Sequence, residues 1–136
     1  MSLTGGCYCG ALRYEAQGAV RFKGQCHCRE CQYISGGASN LFMGLGSEGF
    51  AYVKGQPATF TREDLDAPAT REFCATCGTH ILTRTPRDTS MLILKIGTLD
   101  DPKVFEGPQI AIWMNDAQPY HLVAEGVMQM PGFPGG

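Results

Sequence analysis

The sequence predicts a single, mostly β domain, on three observations. Its 136 residues are 43% hydrophobic, a size and fraction that suit one packed core. Short runs alternate apolar and polar side chains with the period of two expected of half-buried strands. The 18 glycines and 8 prolines cut these runs apart, and few windows hold the 3.6-residue period of a helix.

The elements follow in chain order. Leu12, Tyr14 and Ala16 alternate with Arg13 and Glu15, and Val20 and Phe22 alternate with Arg21 and Lys23. A short helix is placed within Cys28 to Ser35, stopped by Gly36-Gly37. Asn40 to Leu45 and Phe50 to Val53 are apolar runs, the second closed by the turn-prone Lys54-Gly55-Gln56-Pro57. Arg62 to Ala69, with Glu63, Asp64, Asp66 and Pro68, reads as an exposed loop. Thr70 to Phe73 leads into a CxxC and His80 to Thr85 leads out of it. Met91 to Ile96 is the most continuous apolar stretch, and Ile110 to Met114 is the last. There is no internal repeat. The expected organisation is one domain over residues 1–130 and a flexible tail over 131–136, Pro-Gly-Phe-Pro-Gly-Gly.

Composition narrows the function. The N-terminus lacks a basic segment followed by an apolar one, and no run nears the roughly 20 apolar residues that span a bilayer. A cytoplasmic protein without a membrane partner is expected. The net charge is −2 and no Lys/Arg run occurs, so nucleic acid is not expected as a partner. Seven cysteines are an odd number for a disulfide framework; in a reducing compartment such clusters point to metal or redox chemistry.

The cysteines form three clusters: Cys7-Tyr-Cys9-Gly, Cys26-His-Cys28-Arg-Glu-Cys31, and Cys74-Ala-Thr-Cys77-Gly. A CxC and a CxxC can each supply one edge of a tetrahedron, so Cys7, Cys9, Cys74 and Cys77 are expected to close one Zn²⁺ site. Cys26, Cys28 and Cys31 can hold a second zinc with one position vacant, as catalytic sites do. Alternatively a fourth protein ligand completes it, with His27, His80, His121 or a carboxylate as candidates. A redox dithiol at Cys28 and Cys31 is disfavoured, because the βαβ pattern that goes with such motifs is missing.

With these clusters the sequence resembles the family of glutathione-dependent formaldehyde-activating enzymes and centromere protein V. The resemblance runs from Gly5 to about Pro131. It is carried by Gly6-Cys-Tyr-Cys-Gly-Ala-Leu-Arg-Tyr14, by Cys26-His-Cys-Arg-Glu-Cys31 with Ser35-Gly36, and by Arg71-Glu-Phe-Cys-Ala-Thr-Cys-Gly-Thr79. Gly97-Thr-Leu-Asp-Asp-Pro102 and Ile112-Trp113 extend it. It implies an all-β, Mss4-like tent of short antiparallel strands around a structural zinc. It also implies carbon–sulfur lyase chemistry: addition of glutathione to formaldehyde, giving S-(hydroxymethyl)glutathione. The structural zinc then falls on Cys7, Cys9, Cys74 and Cys77, and the catalytic, more labile one on Cys26, Cys28 and Cys31.

Within that reading His27 or His80 is a candidate for moving the proton. Arg29 is the best-placed cation for a glutathione carboxylate, with Arg13 and Arg84 behind it. The Gly36 and Gly37 amides are further candidate contacts. Two departures mark this chain: Gln32 and Tyr33 stand where many relatives carry basic residues, and Tyr120 stands where a Trp is common. The basic extension of the centromere protein is absent, so its chromatin role does not carry over. The competing reading is a non-catalytic, zinc-stabilised protein-binding module. Methionine sulfoxide reduction ranks last, because zinc at both clusters leaves no free cysteine.

Overall fold

A computed structural model describes residues 2–133. The chain runs β1 (Ser2–Gly6), β2 (Arg13–Gln17), β3 (Val20–Cys26), α1 (Arg29–Ile34), β4 (Asn40–Gly46), β5 (Phe50–Lys54) and β6 (Ala58–Thr61). It continues through β7 (Thr70–Phe73), β8 (His80–Thr85), β9 (Asp88–Lys95), β10 (Ile110–Ile112) and β11 (Met128–Gln129), with short 3₁₀ turns between. The all-β expectation holds. No helix among the described residues is long and apolar enough to cross a membrane.

Two sheets carry the fold. The smaller has the order β1-β2-β5; the larger has the order β11-β10-β3-β4-β9-β8-β7-β6. Pairing is antiparallel except at β10, which runs parallel to β3 and β11. The alternation read from the sequence places Tyr14 and Ala16 of β2 inward, together with Leu3 of β1. They meet Met43 and Leu45 of β4, Ile81 and Leu82 of β8, and Leu92 and Leu94 of β9 in the main core. Tyr14 is fully buried, so its hydroxyl needs a partner. Thr98 supplies one at 2.8 Å, and because the Thr98 hydroxyl itself donates to the Lys95 carbonyl (2.8 Å), Tyr14 is the donor in the pair.

The other face of the large sheet positions the site. Side chains two residues apart on a strand, and directly opposite across a ladder, share a face. Cys26 lies opposite Asn40, Gly24 opposite Phe42, and Phe42 opposite Lys95. Cys26, Asn40, Phe42 and Lys95 therefore point one way, and Met43 and Leu94 point the other. On this second face Cys26, Cys31, Phe42 and Ile112 form a smaller core, with Phe22 set edge-on to Phe42 at 5.7 Å. Gly24 gives the Phe42 ring room to lie flat against β3: a Cβ there would meet it at 2.4 Å.

At the C-terminus, the Pro131 and Gly132 carbonyls accept from the amides of Asn115 (3.1 Å) and Trp113 (3.1 Å). The rest of the expected tail, 134–136, lies outside the described residues.

Candidate metal centres

The first cluster joins two segments that are far apart in sequence, one near the N-terminus and one in the middle of the chain. Cys7 and Cys9 follow β1, and Cys74 and Cys77 follow β7; all four sulfurs lie within 4.8 Å of one another. Four sulfurs each about 2.3 Å from one ion sit about 3.8 Å apart. The Cys7–Cys9 and Cys9–Cys74 sulfur separations are 3.6 and 3.8 Å, so the donor set fits Zn²⁺. Backbone amides already point at the sulfurs: Leu12 at Cys7 (3.2 Å) and Cys77 at Cys74 (3.4 Å). Each pair closes on a glycine in the left-handed region, Gly10 at φ +82° and Gly78 at +79°, where a Cβ would be strained. The Thr79 hydroxyl and amide hold the Cys77 thiol down to about 5.

The second cluster lies within six residues. Cys26 ends β3, Cys28 caps α1 by accepting from the Cys31 amide (3.4 Å), and Cys31 lies in the first turn of α1. These three sulfurs also lie within 4.8 Å of one another, and no fourth His, Cys, Asp or Glu donor joins the group among the described residues. Cys26 and Cys31 are buried and Cys28 is partly exposed. Hydrogen bonds from the Cys26 and Cys31 thiols hold the Cys28 thiol well below its ordinary range, assisted by the Cys31 amide and the Arg71 charge. Three thiols sharing protons this way fit a soft divalent ion.

The sequence model of the glutathione-dependent formaldehyde-activating enzymes matches residues 2–116. The chain belongs to this family. No curated protein matches it significantly. A crystal structure of a Rhodobacter sphaeroides protein, solved as a structural genomics target, has a similar fold, with a TM-score of 0.62 at 18% identity. It covers 78% of this chain and 97% of that one.

The other site residues expected from sequence fall into different places. His27 is fully buried. Its Nδ1 donates to the Ile112 carbonyl (3.3 Å), which leaves Nε2 to accept from the Gln25 amide (3.4 Å). His121 accepts from the Gln118 amide at Nδ1 (2.9 Å) and donates from Nε2 to the Gly37 carbonyl (2.7 Å). Both rings are spent on protein partners. Arg29 is exposed, its guanidinium 5.0 Å over the Tyr33 ring and bonded to Gln32. Gly36 and Gly37 line a cleft of about 500 Å³ with Gln25, Tyr120 and His121; the Gly37 amide is committed to the Gln32 carbonyl (2.6 Å). Tyr120 thus borders a cleft. Arg13 pairs with Asp100 and Arg84 with Glu72, both away from the cysteine trio.

Sequence reasoning missed two cations beside the trio. Arg71 bonds Thr83 (3.0 Å) and approaches Glu30 of α1 at 3.7 Å. Lys95 is only 9% exposed, and its Nζ has no hydrogen-bond partner among the described residues. Burial pushes its ammonium down to about 8, while the charges of Cys31, Cys26 and Cys28 pull it back up. His80, pushed down to about 4 by burial, lines the same cleft of about 420 Å³. One signal was available: Lys95 is the only charged residue in the apolar stretch Met91 to Ile96.

Proposed function

We propose that this chain is a zinc-dependent, carbon–sulfur lyase-type enzyme that joins a small thiol such as glutathione to formaldehyde or a related aldehyde at Cys26, Cys28 and Cys31. The observation that carries this reading is a cluster of three sulfurs within 4.8 Å, joined by no fourth protein donor among the described residues and partly exposed at Cys28. Cys26, Cys28 and Cys31 would hold the catalytic zinc; Cys7, Cys9, Cys74 and Cys77 would hold the structural one. Zinc in the three-sulfur site supplies a free coordination position at which a substrate thiol persists as thiolate near neutral pH.

The reaction is an addition. The thiolate sulfur attacks the carbonyl carbon, a C–S bond forms, and the carbonyl π pair moves to oxygen. That oxygen takes up one proton, matching the one the thiol released. Cys26 and Cys31, both buried, fix the geometry, and the half-exposed Cys28 sets the edge the thiol approaches. His27 orients the Cys26–Cys28 loop through its two ring bonds. Arg29, exposed and resting on Tyr33, is in reach of a glutathione carboxylate, and Gly36 and Gly37 border the neighbouring cleft. The reaction belongs to a reducing compartment, and we place the protein in the cytoplasm.

Exchange NMR on glutathione and formaldehyde tests the proposal. The metal-loaded wild type should accelerate adduct formation over Cys28→Ser by at least tenfold; equal rates would sink it.

A further inference from the structure

Two buried nitrogens have no hydrogen-bond partner among the described residues, and both belong to residues that line one cleft. They are Lys95 Nζ and His80 Nδ1. Removing an ammonium from water is costly unless something compensates. The other cation of this region, the half-buried Arg71, has Thr83 and Glu30 as partners. Lys95 has none. It stands on the sheet face that carries Cys26, reached through the Cys26–Asn40 and Phe42–Lys95 pairs. Its charge and those of the three sulfurs act on one another, so negative charge at the trio offsets part of the desolvation. The N–H groups themselves are left with nothing to bond.

Resting on the addition proposed above, we infer that Lys95 donates a hydrogen bond to the carbonyl oxygen of the aldehyde and stabilises the alkoxide that develops there. Nζ is shielded from solvent in this structure, so the bond forms when the Lys95 side chain turns into the cleft of about 420 Å³ that it lines, which has room for formaldehyde. As the C–S bond forms, the π pair collects on the oxygen facing Nζ. A donor held in a water-poor site is most effective where such charge develops. The alkoxide then takes its proton from water, in place of the one the thiol gave up to solvent, so no oxidant or reductant enters. His80 Nδ1 meets the same guest or a water beside it.

The test compares wild type, Lys95→Met, Lys95→Arg and Lys95→Gln as full-length, metal-loaded chains. Lys95→Met should lower kcat about 10²–10³-fold with KM for the thiol within about twofold. Its zinc content should match wild type. Its thermal midpoint should equal or exceed wild type, because an unpaired buried ammonium has been removed. Lys95→Arg should recover part of the rate. Lys95→Met within about threefold of wild type overturns the inference. So does loss of metal or fold in Lys95→Met if Lys95→Gln keeps both and turns over normally, since Lys95 then serves structure alone. A wild type that gives no acceleration overturns the proposed addition and this inference with it; an active wild type matched by Lys95→Met overturns this inference only.

Discussion

Gln32 spends both amide hydrogens on backbone carbonyls, those of His27 (2.8 Å) and Asp116 (2.9 Å), and its carbonyl oxygen accepts from Gln118 (3.2 Å) and Arg29. A basic residue, common here among relatives, could donate but could not accept, so the departure at Gln32 follows from its place as a buried junction between α1 and the 113–116 turn. Gln32→Leu leaves buried carbonyls unpaired and should cost about 2–4 kcal/mol, read as a lower urea midpoint at unchanged slope. Asp100 carries a pH prediction. Hydrogen bonds from Arg13 (2.9 Å) and Thr4 (2.7 Å) hold its carboxyl down to about 2. The folded value lies below the unfolded one of about 3.9. Its contribution is therefore complete above about pH 4 and is lost as pH falls through 2. The stability gap between wild type and Asp100→Asn should shrink over that window; a gap that widens toward pH 2 would contradict the pairing. At this scale the cysteines were readable and Lys95 was not. Spacing announces a ligand set, whereas a lysine inside an apolar strand looks like one interruption until the ladder shows which face it takes.

Among the elements, β1 depends on the four-sulfur centre more than on its own sequence. Ser2–Gly6 holds one large apolar residue, Leu3, and pairs only with β2 apart from a single bridge from Gly5 to Leu99. Cys7 and Cys9 tie its end to the turn after β7. Chelation of that centre, or Cys9→Ala, should release the amides of β1 and of the 74–79 turn to hydrogen exchange before those of β4 and β9, which sit in the middle of the large sheet. Simultaneous release of all four regions would contradict this. The same thinness kept β1 out of the sequence reading. β6 at the sheet edge and the two-residue β11 were missed for a related reason, since each is defined by a neighbour rather than by its own alternation. β2 and the second half of β9 were readable because they bury alternate side chains, and β4 because its apolar run is nearly continuous.

For the molecule as a whole, the two centres should part with metal in order. The three-sulfur set lies within residues 26–31, while the four-sulfur set joins Cys9 to Cys74, 65 positions apart in the chain. Metal affinity is folding energy wherever the site does not survive unfolding. A chelator titration followed by metal analysis and circular dichroism should therefore remove one equivalent with the fold intact and the second together with cooperative unfolding. Loss of both in one step would show the centres to be coupled. Strand order, including β10 running parallel between β3 and β11, could not be read, because pairing between distant segments leaves no local pattern. The confinement of the trio to six residues on one sheet face has an evolutionary side. A lineage could lose Cys28, and with it the proposed reaction, without losing its core or its four-sulfur centre. Stable descendants without catalysis are then readily reached by substitution, and a family built on this plan should shed and regain chemistry more easily than shape.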